Sequence, residues 1–377
     1  MTDPGTSAGV VDRPRVPRPR SAALDNLKVV LVAAVIVAHA FIAYGDIGSW
    51  AYREPSDSQP FLVVAALAVA LGSLFAMGLF FLIGGLLTPG ALARKGPAGF
   101  LRDRALRLGA PFLVYLLLLY PLVNWLGGQG EHPPGWYLRE QLRELDPGPL
   151  WFVAVLLLYS VGYVGWRAVR PRGVRRRAFR PLLLVVVAAL VALATLVTRL
   201  RFPIDSYQLF ALHLWQWPQC LGLFALGVTS AEQQWLDPVP DRVRRVAGWS
   251  ALVAVIVVVA AFAGSSDDLD PFAGGLTWQA LVTAGAEGAI AVGLGVWLLG
   301  HAQRRWNRSG PVGRALARSA FGAYVLQAPV LVALAVAVSG VPVPPEVKFL
   351  LVAPATVAGS FAAAWGLAHL PGVRRVL

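Results

Sequence analysis

Residues 24–45 read LDNLKVVLVAAVIVAHAFIAYG, an apolar run interrupted by a single histidine, His39. A run of this length and character reads as a membrane-spanning helix, and a ring that titrates near neutral pH rarely sits inside one without a task. Eleven residues separate Lys28 from His39. At 100° per residue that is three turns plus about 20°, so Lys28, Val32, Val35 and His39 share one stripe. At 1.5 Å per residue the imidazole lies about 16 Å above the lysine, close to the midplane of a bilayer about 30 Å thick.

Nine further apolar stretches follow, giving ten in all: 27–45, 61–87, 108–126, 150–166, 181–198, 207–229, 247–264, 276–300, 315–339 and 347–370. With 57% hydrophobic and 14% charged residues in a chain of 377, the composition is that of a polytopic membrane protein and excludes an ordinary soluble enzyme. The stretches do not alternate apolar and polar residues as barrel strands do, so the expected fold is all-α, with about ten transmembrane helices.

Charge orients the bundle. If the N-terminal tail is cytoplasmic, the loops near 94–107, 167–180, 242–245 and 304–318 and the C-terminal tail are cytoplasmic too, and these regions hold 27 of the 33 Lys and Arg residues. The opposite side carries only Arg53, Arg139, Arg143, Arg199, Arg201 and Lys348, alongside acids such as Asp46, Glu54, Asp57, Glu131, Glu140, Glu144, Asp146, Asp267, Asp268 and Asp270. Both termini are therefore expected inside. The net charge of +13 is a topology signal, and no nucleic-acid partner is expected.

Residues 1–24, rich in Pro and Arg, read as a disordered cytoplasmic tail able to touch anionic lipid. Ala38-His39-Ala40 has the form of a signal-peptidase site, but the apolar run continues past it and nine more stretches follow, which favours a retained first helix. Cys220 is the only cysteine, which excludes an intrachain disulfide or a Cys-ligated metal cluster. There is no His-Glu-x-x-His pattern and no Gly-rich phosphate loop beside a strand, so no metal site is expected.

Two polar features remain inside or at the mouth of the bundle. Glu287, in ALVTAGAEGAIAVGLG, matches His39 in depth, and a carboxylate there costs about 2.5–3.5 kcal/mol unless paired. A His39–Glu287 pair is thus expected, the acid fixing the tautomer of a general base; a structural role for each is the bland alternative. The run GFLRDRALRLGAP, residues 99–111, places Arg102, Arg104 and Arg107 at the cytoplasmic mouth of the third stretch. Guanidinium forks suit a polyanionic phosphate ligand there, and simple positive-inside anchoring explains them equally well. His213, near Trp215 and Trp217, reads as an interfacial residue with a sugar-stacking alternative, while His132, His301 and His369 read as structural or solvated.

Taken together, these residues resemble the acyltransferase-3 family of integral membrane enzymes, which includes polysaccharide O-acetyltransferases and glucan succinyltransferases. The resemblance covers roughly 24–370. LDNLKVVLVAAVIVAHAF is similar to the family's first helix, in which an Arg precedes the catalytic His by eleven residues; Lys28 and His39 take those places. FFLIGGLLTPGALARKGPAGFLRDRALRLGAPFLVY resembles the second and third helices, with Phe80, Phe81, Gly84 and Gly85 in the glycine-containing region and Arg102 and Arg104 matching an Arg-x-Arg. GPLWFVAVLLLYS resembles the fourth-helix signature around Leu150-Trp151-Phe152, and SAFGAYVLQAPVLV the late-helix signature in which Tyr precedes His-Gln-Pro. Lys28 departs from the usual Arg, and Gln327 stands where many members carry His.

The resemblance implies a transmembrane acyltransferase domain over 25–370, with a short cytoplasmic tail at 371–377. It implies an O-acyltransferase of a cell membrane, a bacterial plasma membrane being the expected one. Acetyl, succinyl or a similar group would pass from a cytoplasmic acyl-coenzyme A to a hydroxyl of a glycan, lipid-linked saccharide or glycoside. His39 would be the general base with Glu287 in support, and Lys28, Arg102 and Arg104 would bind the donor, a snorkelling anchor being the equal alternative for Lys28. The coenzyme is a co-substrate, and no permanently bound cofactor is implied. No soluble domain is appended, so transfer is expected to finish within the membrane part or with a partner. A saccharide transporter or flippase, and a non-catalytic partner in glycan assembly, stay open as rival classes.

Overall fold

The computed structural model describes residues 21–45, 47–48, 50–170, 177–206, 208–265 and 270–373. Most of the expected tail, the acids Asp46, Asp267 and Asp268, part of the 167–180 arginine run and residues 374–377 lie outside the described residues. Every regular element among the described residues is helical.

Helix α1 (Ala22–Tyr44) starts three residues inside the segment expected to be disordered. Its start follows from local chemistry: the Ser21 hydroxyl accepts from the Leu24 amide, and Asp25 places an acid in the first turn. His39 is five residues from the end of this helix, about 8 Å by rise, and so sits well toward its C-terminal end rather than at its middle.

The stretch expected as one span over 61–87 is broken. Helix α2 (Gln59–Ser73) stops, and α3 (Ala76–Arg104) begins after a gap of two residues. The backbone groups freed at the break are taken by one buried side chain from a distant helix. Gln219 donates to the carbonyls of Ser73 (3.3 Å) and Leu74 (2.9 Å), and its Oε1 accepts from the Gly78 amide (2.8 Å).

A second break, at Gly96, turns the chain back on itself. Gly96 has φ 67°, in the left-handed region that glycine adopts freely, and Pro97 follows it. Thr88 and Arg104 hydrogen-bond (3.4 Å) and Lys95 pairs with Asp103 (2.6 Å), although sixteen residues of continuous helix would hold Thr88 and Arg104 about 24 Å apart. The returning limb runs through a π turn at Ala105–Gly109, α4 (Ala110–Val114), a second π turn at Tyr115–Leu119 and α5 (Tyr120–Gly127). Each π turn lies two residues before a proline, Pro111 and Pro121. A proline has no amide to return to the carbonyl four residues back and crowds it, and the wider turn relieves both faults.

The remaining elements are α6 (Pro134–Glu144), α7 (Trp151–Val169), α8 (Leu182–Arg199), α9 (Trp217–Gln233), α10 (Asp241–Ala263), the short α11 (Asp270–Ala273), α12 (Trp278–Arg305), α13 (Pro311–Val338) and α14 (Pro345–Leu367). Residues 208–216, expected to open the sixth span, form an irregular segment with two short 3-10 turns.

Small residues set the helix crossings. A Cβ on Gly85 of α3 would fall on the Phe224 carbonyl of α9, and one on Gly227 would fall on the Leu82 carbonyl, so these two helices touch backbone to backbone. Gly288 brings α12 against Ala188 of α8 in the same way. Helix α1 is central, packed against α2, α3, α12, α13 and α14. Among the described residues eight helical stretches are long and apolar enough to cross a membrane, one of them the doubled-back run over 59–127. Helix α9, with 17 residues and about 26 Å of rise, is shorter than a bilayer core.

Candidate active site

His39 projects from α1 at a partly buried position. Its Nδ1 lies 2.8 Å from the Val35 carbonyl one turn back. A carbonyl only accepts, so the ring donates from Nδ1, and in the neutral imidazole the lone pair is left on Nε2. Trp50, from the segment after α1, packs on the ring with centroids 4.8 Å apart.

From α13, Gln327 approaches the imidazole and the Tyr324 hydroxyl. Its amide completes no hydrogen bond with either: Oε1 and Nε2 are both buried and without a partner, on a side chain 1% exposed. Unpaired buried amides are uncommon because each orphaned group carries a desolvation penalty. Tyr324 donates to the Pro149 carbonyl (2.7 Å). Its ring meets Phe152 edge-on at 4.8 Å and Phe80 at 6.1 Å. Phe80, Phe152 and Tyr324 come from three separate stretches of the sequence, and the fold collects them in one aromatic cluster.

The expected His39–Glu287 pair does not form. Glu287, 1% exposed on α12, gives one carboxylate oxygen to Arg199 of α8 and the other to Gln219 of α9 (3.1 Å). Arg199, placed by sequence among the outer charges, is 3% exposed, with its guanidinium over the Trp215 ring. Burying a carboxylate demands a cation or several donors, and the cation came from a helix end 88 residues away. Lys348, likewise read as an outer charge, is buried in α14, where it donates to Glu54 (2.5 Å) and to the Ser339 carbonyl (2.8 Å).

The three residues expected to bind the donor do not converge. Lys28 pairs with Asp25 one turn below it (2.7 Å). Arg102 is exposed. Arg104, two residues and so about 200° around the helix from it, turns inward to Thr88 and lies over the Phe100 ring at 5.2 Å. Arg104 Nε is buried and unpartnered. Asp103 between them is held by Lys95 and by Arg107 (3.1 Å).

At the C-terminal end of α1 a cavity of about 320 Å³ opens among Tyr120, Trp136, Tyr137, His132, Glu144 and Asp146. Ala51 also lines it, and Ala51 follows Trp50, which covers His39. Sequence marked Gln327 as a signature position but not its approach to His39, and it marked neither Trp50 nor this cavity, which is linked to the imidazole through the neighbouring residues Trp50 and Ala51. Among the described residues no group of three His, Cys, Asp or Glu side chains is placed to hold a metal ion.

Long apolar helices crossing at glycines, with their few buried charges paired inside, define a multi-pass membrane protein. A family model described as an acyltransferase domain matches residues 21–369, and the chain belongs to that family, acyltransferase-3. No curated protein and no solved structure matches it.

Proposed function

We propose that this protein is an O-acyltransferase that moves a short acyl group from a cytoplasmic acyl-coenzyme A to a hydroxyl of a glycan, lipid-linked saccharide or glycoside, with His39 as general base. One observation carries the reading: the Nδ1 contact to the Val35 carbonyl leaves Nε2 as the free base on a partly open ring. An Nε2 lone pair takes the acceptor's hydroxyl proton as the oxygen attacks the thioester carbonyl, then returns it to the leaving thiolate. The unpaired Gln327 amide offers a donor and an acceptor beside the ring and would orient the hydroxyl, although an amide moves no proton.

Charge segregation supports ten spans with both ends inside, which puts Arg104 at the donor's entrance and the aromatic, acid-lined cavity at the acceptor's. Arg104 meets the donor's phosphates, with Arg102 and Lys28 adding field rather than direct contact. Stacking surfaces and carboxylate acceptors suit a polyhydroxylated acceptor. Glu287 holds the helices that frame the site.

The test is release of coenzyme A thiol by the purified protein, supplied with short acyl-coenzyme A donors and a glycan extract. Thiol release that requires acceptor and falls at least 100-fold in His39→Ala is the expected result, in line with the roughly 10²–10⁴-fold value of general base catalysis. Unchanged turnover in His39→Ala would sink the assignment. Saccharide binding with no thiol release from any donor would point instead to a transporter.

A further inference from the structure

A second cavity, of about 300 Å³, lies at the opposite end of α1, where α12 ends and α13 begins. Its construction is specific. The Asn26 side chain of α1 donates to the carbonyls of Trp306 (2.7 Å) and Arg308 (2.9 Å), which pins the α12–α13 connection against α1. This brings Arg305, Trp306 and Arg308 together with Val29, Val30 and Leu316 around one cavity.

Neither arginine is in an ion pair among the described residues, whereas the acids at this end are committed: Asp25 to Lys28, and Asp241 to Arg304 (3.0 Å) and Arg244 (3.4 Å). Gly313, in the first turn of α13, also lines the cavity, so the helix N-terminus adds its unbonded amides to the same positive field. Within the apolar lining Val30 is 47% exposed, on a helix that belongs to the membrane.

We propose that this cavity is a binding site for an anionic glycerophospholipid. Its phosphodiester sits between Arg305 and Arg308, and one acyl chain lies along Val29, Val30 and Leu316. Paired guanidinium groups match phosphate oxygens, an indole at the headgroup level tolerates one wet and one apolar side, and a basic pocket between spanning helices attracts acidic headgroups. A free nucleotide phosphate shares the first of these features but has no use for the apolar lining. This site is independent of His39.

Native mass spectrometry of the purified full chain, supplemented in turn with phosphatidylglycerol, phosphatidylcholine and coenzyme A, separates the sources. Retention of about one phosphatidylglycerol per chain, unmatched by phosphatidylcholine and not displaced by coenzyme A, is expected. In Arg305→Gln/Arg308→Gln the affinity should fall about thirty-fold, which at 1.4 kcal/mol per tenfold is about 2 kcal/mol, or about 1 for each arginine near the surface. Equal retention of the two lipids by the wild type, or displacement of the lipid by coenzyme A, overturns the proposal without recourse to any variant. So does undiminished retention in a double variant that remains monodisperse.

Discussion

Replacing Glu287 by Gln tests whether that carboxylate holds the bundle or drives the chemistry. The Arg199 and Glu287 side chains are 4% and 1% exposed, so Glu287→Gln leaves a guanidinium in a dry interior facing a neutral amide. Removing one member of a buried pair costs about 3–5 kcal/mol. Glutamine keeps an oxygen for Arg199, which places it near the lower figure, whereas Glu287→Leu also abandons the Gln219 amide and belongs near the upper one. The double variant Arg199→Met/Glu287→Leu removes both charges and should recover most of the loss, since a hydrophobic pair of similar volume is often neutral or better. Unfolding of the four proteins in one detergent gives the stabilities, and thiol release per folded molecule gives the activity. The structural account is refuted if Glu287→Gln stays within about 1 kcal/mol of wild type, or if the double variant is less stable than either single. Full stability with lost turnover would return Glu287 to the catalytic role expected from sequence.

At the α3–α9 crossing, Gly85→Ala puts a Cβ on the Phe224 carbonyl and 2.9 Å from the Val228 amide, so two backbones must part and folded yield should collapse. Gly84→Ala meets only the flexible Leu156 Cδ1 at 3.1 Å and should purify normally; equal yields would show that the glycine crossing is not what sets this interface. Burial in the loop before α9 holds the His213 imidazole below its ordinary value of 6.5, against the pull of Asp205 and Asp146. The unfolded chain then binds the extra proton more readily, so this contribution to stability is complete above about pH 6.5 and is lost as pH falls below it. Unfolding temperatures at pH 7.5 and 5.5 should differ less in His213→Phe than in wild type, and an unchanged difference contradicts the assignment. Thr88→Val removes the hydroxyl that holds Arg104, and should raise KM for the acyl donor several-fold while leaving KM for the acceptor unchanged; the reverse split would move Arg104 away from the donor.

What was legible in the sequence was whatever is encoded within one helix length. The apolar runs showed an all-helical, multi-pass chain and placed His39 within its first helix. Motif order showed the family. What stayed hidden depends on partners distant in sequence. Nothing around Glu287 announces that its cation is Arg199, because Arg199 sits at the end of an apolar run, where an arginine ordinarily anchors a helix at the interface. The break between α2 and α3 is equally silent: 61–87 is apolar throughout that region, and only Gln219, more than 140 residues later, makes a helix end tolerable there. The divergence of Arg102 and Arg104 was open to arithmetic, since residues two apart on a helix never share a face, yet motif reading treats them as a unit.

The hydrogen bond from His39 to its own helix also decides how protons can flow. Nδ1 ends on the Val35 carbonyl, which cannot pass a proton on, so the ring has one working nitrogen and no wire behind it. Under the mechanism proposed above, acyl transfer at such a ring would be proton-neutral with respect to the two sides of the membrane: what Nε2 collected from the acceptor it would hand to the departing thiolate at the same spot. On that mechanism turnover would consume no proton gradient, and activity in detergent should need no more than the two substrates.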